Sequence, residues 1–164
     1  MTTMMELTDP CGQADAASHA PVTFRGVVYA WHLDHMGHMN VQHYVGMFDN
    51  ASWVLLGMLG ADASHFREHR TGVAALEQKI SYLREMRAGD LVEIRSGILE
   101  VGEKILRIAH EMRNTGTGIV AARTTILGVY FDTGTRRSML LPREIRERAH
   151  AVMIADPEAS RDAL

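Results

Sequence analysis

The chain has 164 residues, 46% apolar and 23% charged. That suits one globular domain with a real core and excludes disorder, collagen and low complexity for most of the chain. Seventeen Lys and Arg against twenty Asp and Glu leave a net charge of −3, so there is no electrostatic footprint for nucleic acid and no polybasic membrane anchor.

Residues 1–20 are small, polar and without periodicity, and read as a flexible tail. They carry no Lys or Arg but do carry Glu6, Asp9 and Asp15, which argues against a signal peptide. The lone Cys11 cannot form an internal disulfide, in keeping with a reducing cytosol. A domain spans 21–155, and 156–164 forms a second tail. The expected location is cytoplasmic.

Val22–Trp31 is rich in β-branched and aromatic residues and predicts a strand. His32–Met39 is a polar loop, and Asn40 is a good N-cap for a helix. From Val41 to Leu59 the apolar residues keep helical spacing and cover most of the circumference, which predicts a buried helix. Gln42, His43, Asp49 and Asn50 interrupt this stretch and exclude a membrane span. Gly60 is the expected stop. Gly46 and Gly57 cost helix stability, and close approach of a sheet or substrate is the expected reason.

After a polar connection come four strands: Val73–Arg84, Leu91–Leu99, Ile105–Arg113 and Ile119–Phe131. Gly89-Asp90, Gly102-Glu103 and Thr115–Gly118 are the turns between them. Pro142 opens a short amphipathic helix, Arg143–Ile154. Val22–Leu141 has no proline, as a continuous sheet requires. Short turns imply antiparallel neighbours, and a curved antiparallel sheet wrapped around one helix is the economical way to bury that helix. The class is α+β.

The chemistry concentrates in Trp31–Tyr44. Asp34, four histidines (His32, His35, His38, His43) and Asn40 lie between a strand end and a helix start. A helix N-terminus exposes unpaired N–H groups and partial positive charge, so a carbonyl aimed there is polarised as in an oxyanion hole. Asp34, just upstream, is placed to attack that carbonyl or activate water. The competing reading has Asp34 organise the loop through backbone N–H groups.

His32-Leu33-Asp34, Gly37-His38, Asn40 and Tyr44 resemble the signature of hotdog-fold acyl-CoA thioesterases of the 4-hydroxybenzoyl-CoA thioesterase type. Ile80-Ser81-Tyr82-Leu83, Gly89-Asp90 and Leu141-Pro142 match further landmarks, so the resemblance covers about 22–149. It implies a five-stranded hotdog sheet around one central helix. It also implies that Asp34 is the catalytic carboxylate, that His38 positions water or substrate, and that the first helical N–H groups, at Val41 and Gln42 after Asn40, receive the thioester carbonyl. Dimers, often paired into tetramers, are implied as well. No metal or redox cofactor is needed, since coenzyme A is part of the substrate.

Acyl-carrier-protein thioesterases place asparagine two residues after the aspartate, where this chain has Met36. Hotdog hydratases place histidine five residues after it, usually beyond a proline, whereas here the spacing is four with no proline. The remaining alternatives are therefore an acyl-carrier-protein thioesterase or a non-catalytic acyl-CoA-binding hotdog protein.

Glu77 is the second candidate carboxylate. Strand alternation groups it with Val73, Ala75 and Lys79, and a solvated strand position is the plainer reading. Asp49 and Asn50 read as structural, facing a subunit partner. The histidines lack a recognised metal-ligand pattern. His110 alternates with Leu106, Ile108 and Met112, as a core or interface residue does. Ser52 lacks a nucleophile-elbow context. Trp31 and Trp53 are candidates to bound a pocket, and Met36, Met39 and Met47 to line one. For the phosphates of coenzyme A the candidates are Arg84, Arg87 and Lys104, with nothing local to choose among them.

Overall fold

The computed structural model describes residues 20–156. The two expected tails and Cys11 lie outside that range, apart from Ala20 and Asp156. Strand β1 (Val22–Val27) leads through a 3-10 turn, Ala30–His32, into helix α1 (Val41–Met58). Helix α2 (Ala63–His69) precedes strands β2 (Thr71–Tyr82), β3 (Leu91–Val101), β4 (Ile105–Asn114) and β5 (Val120–Asp132), and α3 (Arg143–Ala151) ends the domain. All pairings are antiparallel, in the order β1-β3-β4-β5-β2. This is the hotdog arrangement of a sheet curled around one long helix.

Several boundaries differ from expectation for physical reasons. The first strand stops at Val27, because Tyr29 and Trp31 stack on each other with ring centroids 4.4 Å apart and leave the sheet. The polar connection before β2 contains α2, which local periodicity does not reveal. Asp62 caps it by accepting from His65 N, and Arg70 closes it in the left-handed region at φ 54°. Consecutive strands β2 and β3 are not neighbours, contrary to the short-turn argument. The segment containing Gly89-Asp90 crosses from one edge of the sheet to β3, and it docks on β1 through Gly89 N to Val28 O and Val28 N to Asp90 O.

Helix α1 packs over β1, β3 and β4. Tyr44, Met47, Phe48 and Ala51 bury one half of it against Val28, Ile94 and Met112, and Leu55, Leu56 and Leu59 bury the other half against Ile98, Leu106 and Tyr130. Each such large side chain contributes about 1.5–3 kcal/mol. The helix is not buried all round, contrary to what its composition suggests. Val41, Val45, Trp53, Val54 and Met58 remain exposed in the single chain. The helical glycines also differ from expectation: a Cβ at Gly46 or Gly57 would meet nothing within 4 Å. Gly60 does end the helix as expected, at φ +85°.

No helix among the described residues is long and apolar enough to cross a membrane.

Candidate active site

The loop between β1 and α1 is tightly specified. An antiparallel bridge joins Leu33 to Met39, and inside it Asp34 N donates to His38 O at 3.1 Å and Gly37 N to Asp34 O at 3.0 Å. Gly37 adopts φ +80°, which a side chain would strain. Outside the bridge, Met39 N donates to Met86 O and Asn40 N to His32 O. These bonds fix Asp34 relative to the start of α1.

Asp34 Oδ1 accepts from Met36 N at 2.8 Å, so the carboxylate does organise its loop. Its Oδ2 has no hydrogen-bond partner among the described residues. The loop bond therefore leaves Oδ2 uncommitted. Asp34 is one-fifth exposed, open enough for water to reach it.

Asn40 caps α1 as expected: its Oδ1 accepts from Gln42 N at 3.0 Å, and its carbonyl accepts from His43 N. This corrects part of the expected carbonyl site. The cap consumes the Gln42 N–H, and the free donor at the helix start is Val41 N–H, which has no acceptor among the described residues. It carries the positive end of an 18-residue helix.

His38 stands between two carboxylates. Its Nδ1 is 3.9 Å from Asp34 Oδ1 and its Nε2 is 3.7 Å from Glu85 Oε1, distances for electrostatic contact rather than hydrogen bonds. Sequence reasoning does not find Glu85. It comes from the β2–β3 crossover, 47 positions after His38, and nothing in its local pattern marks it. A cavity of about 210 Å³ beside His38 and Glu85 is lined by these two and by Met39, Val41, Tyr44, Tyr82, Leu83 and Arg84; Asp34 is not among its lining residues. Tyr44 and Tyr82 pack edge to face in its wall, and burial pushes the Tyr44 phenol up from its ordinary range.

Glu77 is not brought to this place. A bulge at Leu76, between the pairs Ala75–Gly128 and Glu77–Leu127, breaks the alternation read from the sequence. Val73 and Ala75 share the helix-facing side with Gln78 and Ile80, whereas Glu77 and Lys79 fall on the opposite face. Asp49 is exposed and, with Ser52 and Trp53, lines a separate cavity of about 130 Å³ between α1 and β2, β4 and β5. Met39 lines the cavity at the helix start. Met47 lines another beside β1, while Met36 and Trp31 are exposed.

Of the other histidines of this loop, His32 and His43 have local partners. His32 Nδ1 accepts from Tyr29 N, its ring lies 4.6 Å from that of His43, and burial together with that neighbour holds it below the usual histidine range. His35 is exposed. Among the described residues no three His, Cys, Asp or Glu side chains are grouped as a metal ion needs.

His110 is a core residue, as expected, and burial lowers it to about 3. Its Nε2 meets Ser52 Oγ at 2.9 Å and its Nδ1 meets Ser96 Oγ at 2.5 Å. Ser52 Oγ also lies 2.9 Å from Phe48 O, one turn before it in α1. Ser96 bonds Thr23 in turn, and the chain of hydroxyls ties α1 to β4, β3 and β1.

The sheet and central helix define the hotdog class, and the Asp34 loop lies at the start of that helix. Residues 27–149 match the model of the thioesterase-like superfamily, and the chain belongs to that family. It is similar to the betainyl-CoA thioesterase of Pseudomonas aeruginosa, with 24% identity over 82% of this chain and 85% of that one. It is also 28% identical over 67% of its length to the L-carnitine dehydrogenase/betainyl-CoA thioesterase of Agrobacterium fabrum, and that match spans only 22% of the larger protein. A Staphylococcus aureus protein solved in complex with CoA shares the fold at a TM-score of 0.78 and 17% identity, covering 88% of this chain and 94% of that one.

Proposed function

We propose that this protein hydrolyses an acyl-CoA thioester to the free acid and CoA. One observation carries the reading: the uncommitted Oδ2 of the partly exposed Asp34 side chain and an uncommitted helix-start donor, Val41 N–H, are held at the two ends of one braced loop. The acyl carbonyl accepts from Val41 N–H. The oxygen that attacks is either Asp34 Oδ2 itself or a water whose proton Asp34 takes. The C–S bond then breaks: in the general-base version the proton held by Asp34 passes to the departing thiolate, and in the nucleophile version CoA leaves as the thiolate and takes its proton from solvent. In the nucleophile version water afterwards opens the acyl–Asp34 anhydride. His38, between Asp34 and Glu85, positions the water or substrate.

The superfamily match, the relatives named betainyl-CoA thioesterases and the CoA-bound fold neighbour support thioester chemistry. The resemblance of the Asp34 loop to 4-hydroxybenzoyl-CoA thioesterases makes aromatic acyl groups candidates beside betainyl and aliphatic ones. The reaction needs no metal or redox cofactor, and the active species is a homodimer or a pair of dimers in the cytoplasm.

The test is a panel of acyl-CoAs, betainyl-CoA and aromatic acyl-CoAs included, assayed for free thiol. Turnover that survives chelator treatment is expected. Activity lost on chelation and restored by zinc would overturn the metal-free scheme. Tight acyl-CoA binding with no turnover on any member would favour the non-catalytic alternative.

A further inference from the structure

A cavity of about 370 Å³ lies between β1 and the flank of α1, and it shares no lining residue with the cavity at the helix start. Phe24 and Tyr29 line it from β1 and the segment that follows, His32 from the 3-10 turn, and His43 and Asn50 from α1. Its volume is in the usual range for a small-molecule site, roughly 300–1,000 Å³. No Lys, Arg, Asp or Glu is among its described lining residues. The lining is mostly aromatic, and the rings are steeply inclined to one another. Tyr29 meets His32 edge to face, with centroids 5.7 Å apart and planes at 68°, and His32 is tilted by 41° to His43 at 4.6 Å. Rings set at such angles make no parallel slot for a flat ligand; they suit a compact, rounded one. Trp31 stacks on Tyr29 with 10° between the planes and steadies that ring. His32 Nδ1 accepts from Tyr29 N at 3.1 Å, and burial together with His43 holds this histidine below its usual range, so it is uncharged at neutral pH. Asn50 is exposed and has no hydrogen-bond partner among the described residues, which leaves its amide oxygen available. Gly46 stands in the same wall. Glycine inside a helix is destabilising, and a Cβ here would meet nothing within 4 Å, so no contact within the described chain calls for it. The positive end of α1 opposes a cation only within the first turn, and the cavity runs on from His43 to Asn50.

We infer that this cavity binds a compact quaternary ammonium group, held by Phe24, Tyr29, His32 and His43. Aromatic faces attract a cation through their quadrupole and need no carboxylate to do so. A methyl-covered ammonium has no N–H donors to satisfy, whereas a primary ammonium would leave donors unmet in so apolar a lining. The inference stands apart from the acyl-CoA reading, because the group is either the head of a substrate's acyl chain or a free ammonium compound.

Choline and 3,3-dimethylbutan-1-ol share a shape and differ in charge, so an NMR titration with both is the test. Choline should shift the ring signals of Tyr29 and His43 and bind about tenfold more tightly than the alcohol, the scale of a few cation–π contacts. Gly46→Leu puts a side chain into the cavity from a position where the fold has room, and should abolish choline binding with the thermal midpoint unchanged or raised. Tyr29→Leu, at an exposed position, should weaken choline binding about three- to tenfold and serves if Gly46→Leu does not fold. Equal binding of choline and the alcohol, no binding of choline, or full binding by both variants would overturn the assignment. Betainyl-CoA and 3,3-dimethylbutanoyl-CoA, a second pair differing in charge alone, identify the source of the group. A rise in KM confined to betainyl-CoA in Gly46→Leu assigns the ammonium to the acyl chain. Unchanged KM on both, with choline binding lost, assigns it to a free compound, and equal rises on both would show a cavity that reads shape and not charge. If no thioester is turned over, the acyl-CoA reading fails separately and the choline titration still decides the cavity.

Discussion

Asp34→Asn keeps the side chain's shape and its Oδ1 acceptor, so the loop bond to Met36 N survives while the charge needed for attack or proton removal is lost. A lost catalytic base typically costs ~10²–10⁴-fold in kcat, and that fall is expected with thermal stability nearly unchanged. His38→Ala should fall between Asp34→Asn and wild type. Glu77→Gln should be almost silent, because the bulge at Leu76 puts Glu77 on the sheet face away from α1. Near-normal kcat in Asp34→Asn alongside a dead Glu77→Gln would show that the site has been placed on the wrong face. His110 supplies a pH prediction. In the folded chain it stays neutral down to about 3, while unfolded it takes a proton below about 6.5. Between those values the unfolded state binds more protons, so stability falls as pH falls, by about 1.4 kcal/mol per unit at most from this group. His32 and His65 are lowered too and act in the same direction. Urea midpoints from pH 7 to pH 4 should show this slope, and His110→Gln should be less stable at pH 7 but flatter with pH.

At the scale of elements, the start of α1 has a structural role, and the proposed reaction adds a chemical one. Asn40→Ala removes the acceptor for Gln42 N and should cost about 1 kcal/mol, the usual value of an N-cap. Asn40→Asp keeps that acceptor and should retain most of the stability in chemical denaturation. The other end of the helix is specified by Gly60, at φ +85°, where a Cβ would collide with Arg148 Nη1. Gly60→Ala should destabilise by about 1–2 kcal/mol from the left-handed backbone alone. Arg148 has a flexible side chain that can withdraw, so a much larger loss would mean the backbone itself had been forced out of place.

Across the whole molecule, β2 stands out as an edge. Ala75–Lys79 are all exposed, so both faces of the strand's middle lack cover, and Leu76 and Tyr82 show large apolar surfaces. The bare side of α1, with Val45, Trp53, Val54 and Met58, adds to them. Uncovered edges of this kind invite strand pairing with another chain. Light scattering at micromolar concentration should give a dimer or tetramer. Leu76→Glu should shift that mass toward the monomer while leaving the helix and strand content intact. A monomeric wild type would defeat the oligomer proposal.

Much of this protein can be read from local order in the chain. Asn40 as a cap, Gly60 as a stop, and the long strands and their turn residues are set by periodicity and backbone preference, which act within a few residues. Asp34 stands out because a carboxylate so close to a helix start has few neighbours with which to share its role. What tertiary structure decided is what depends on distant contacts. The order of β2 and β3 is invisible in the sequence because a crossover looks like any polar turn. The bulge that turns Glu77 away from α1 needs the partner strand β5 to define it, and Glu85 reaches His38 only because the crossover folds back over the loop. Even the open amide at the helix start depends on three dimensions: Asn40 takes the Gln42 N–H, and Val41 N–H is left without an acceptor among the described residues. Sequence can name a cap, but which amide remains open depends on where every neighbouring acceptor points.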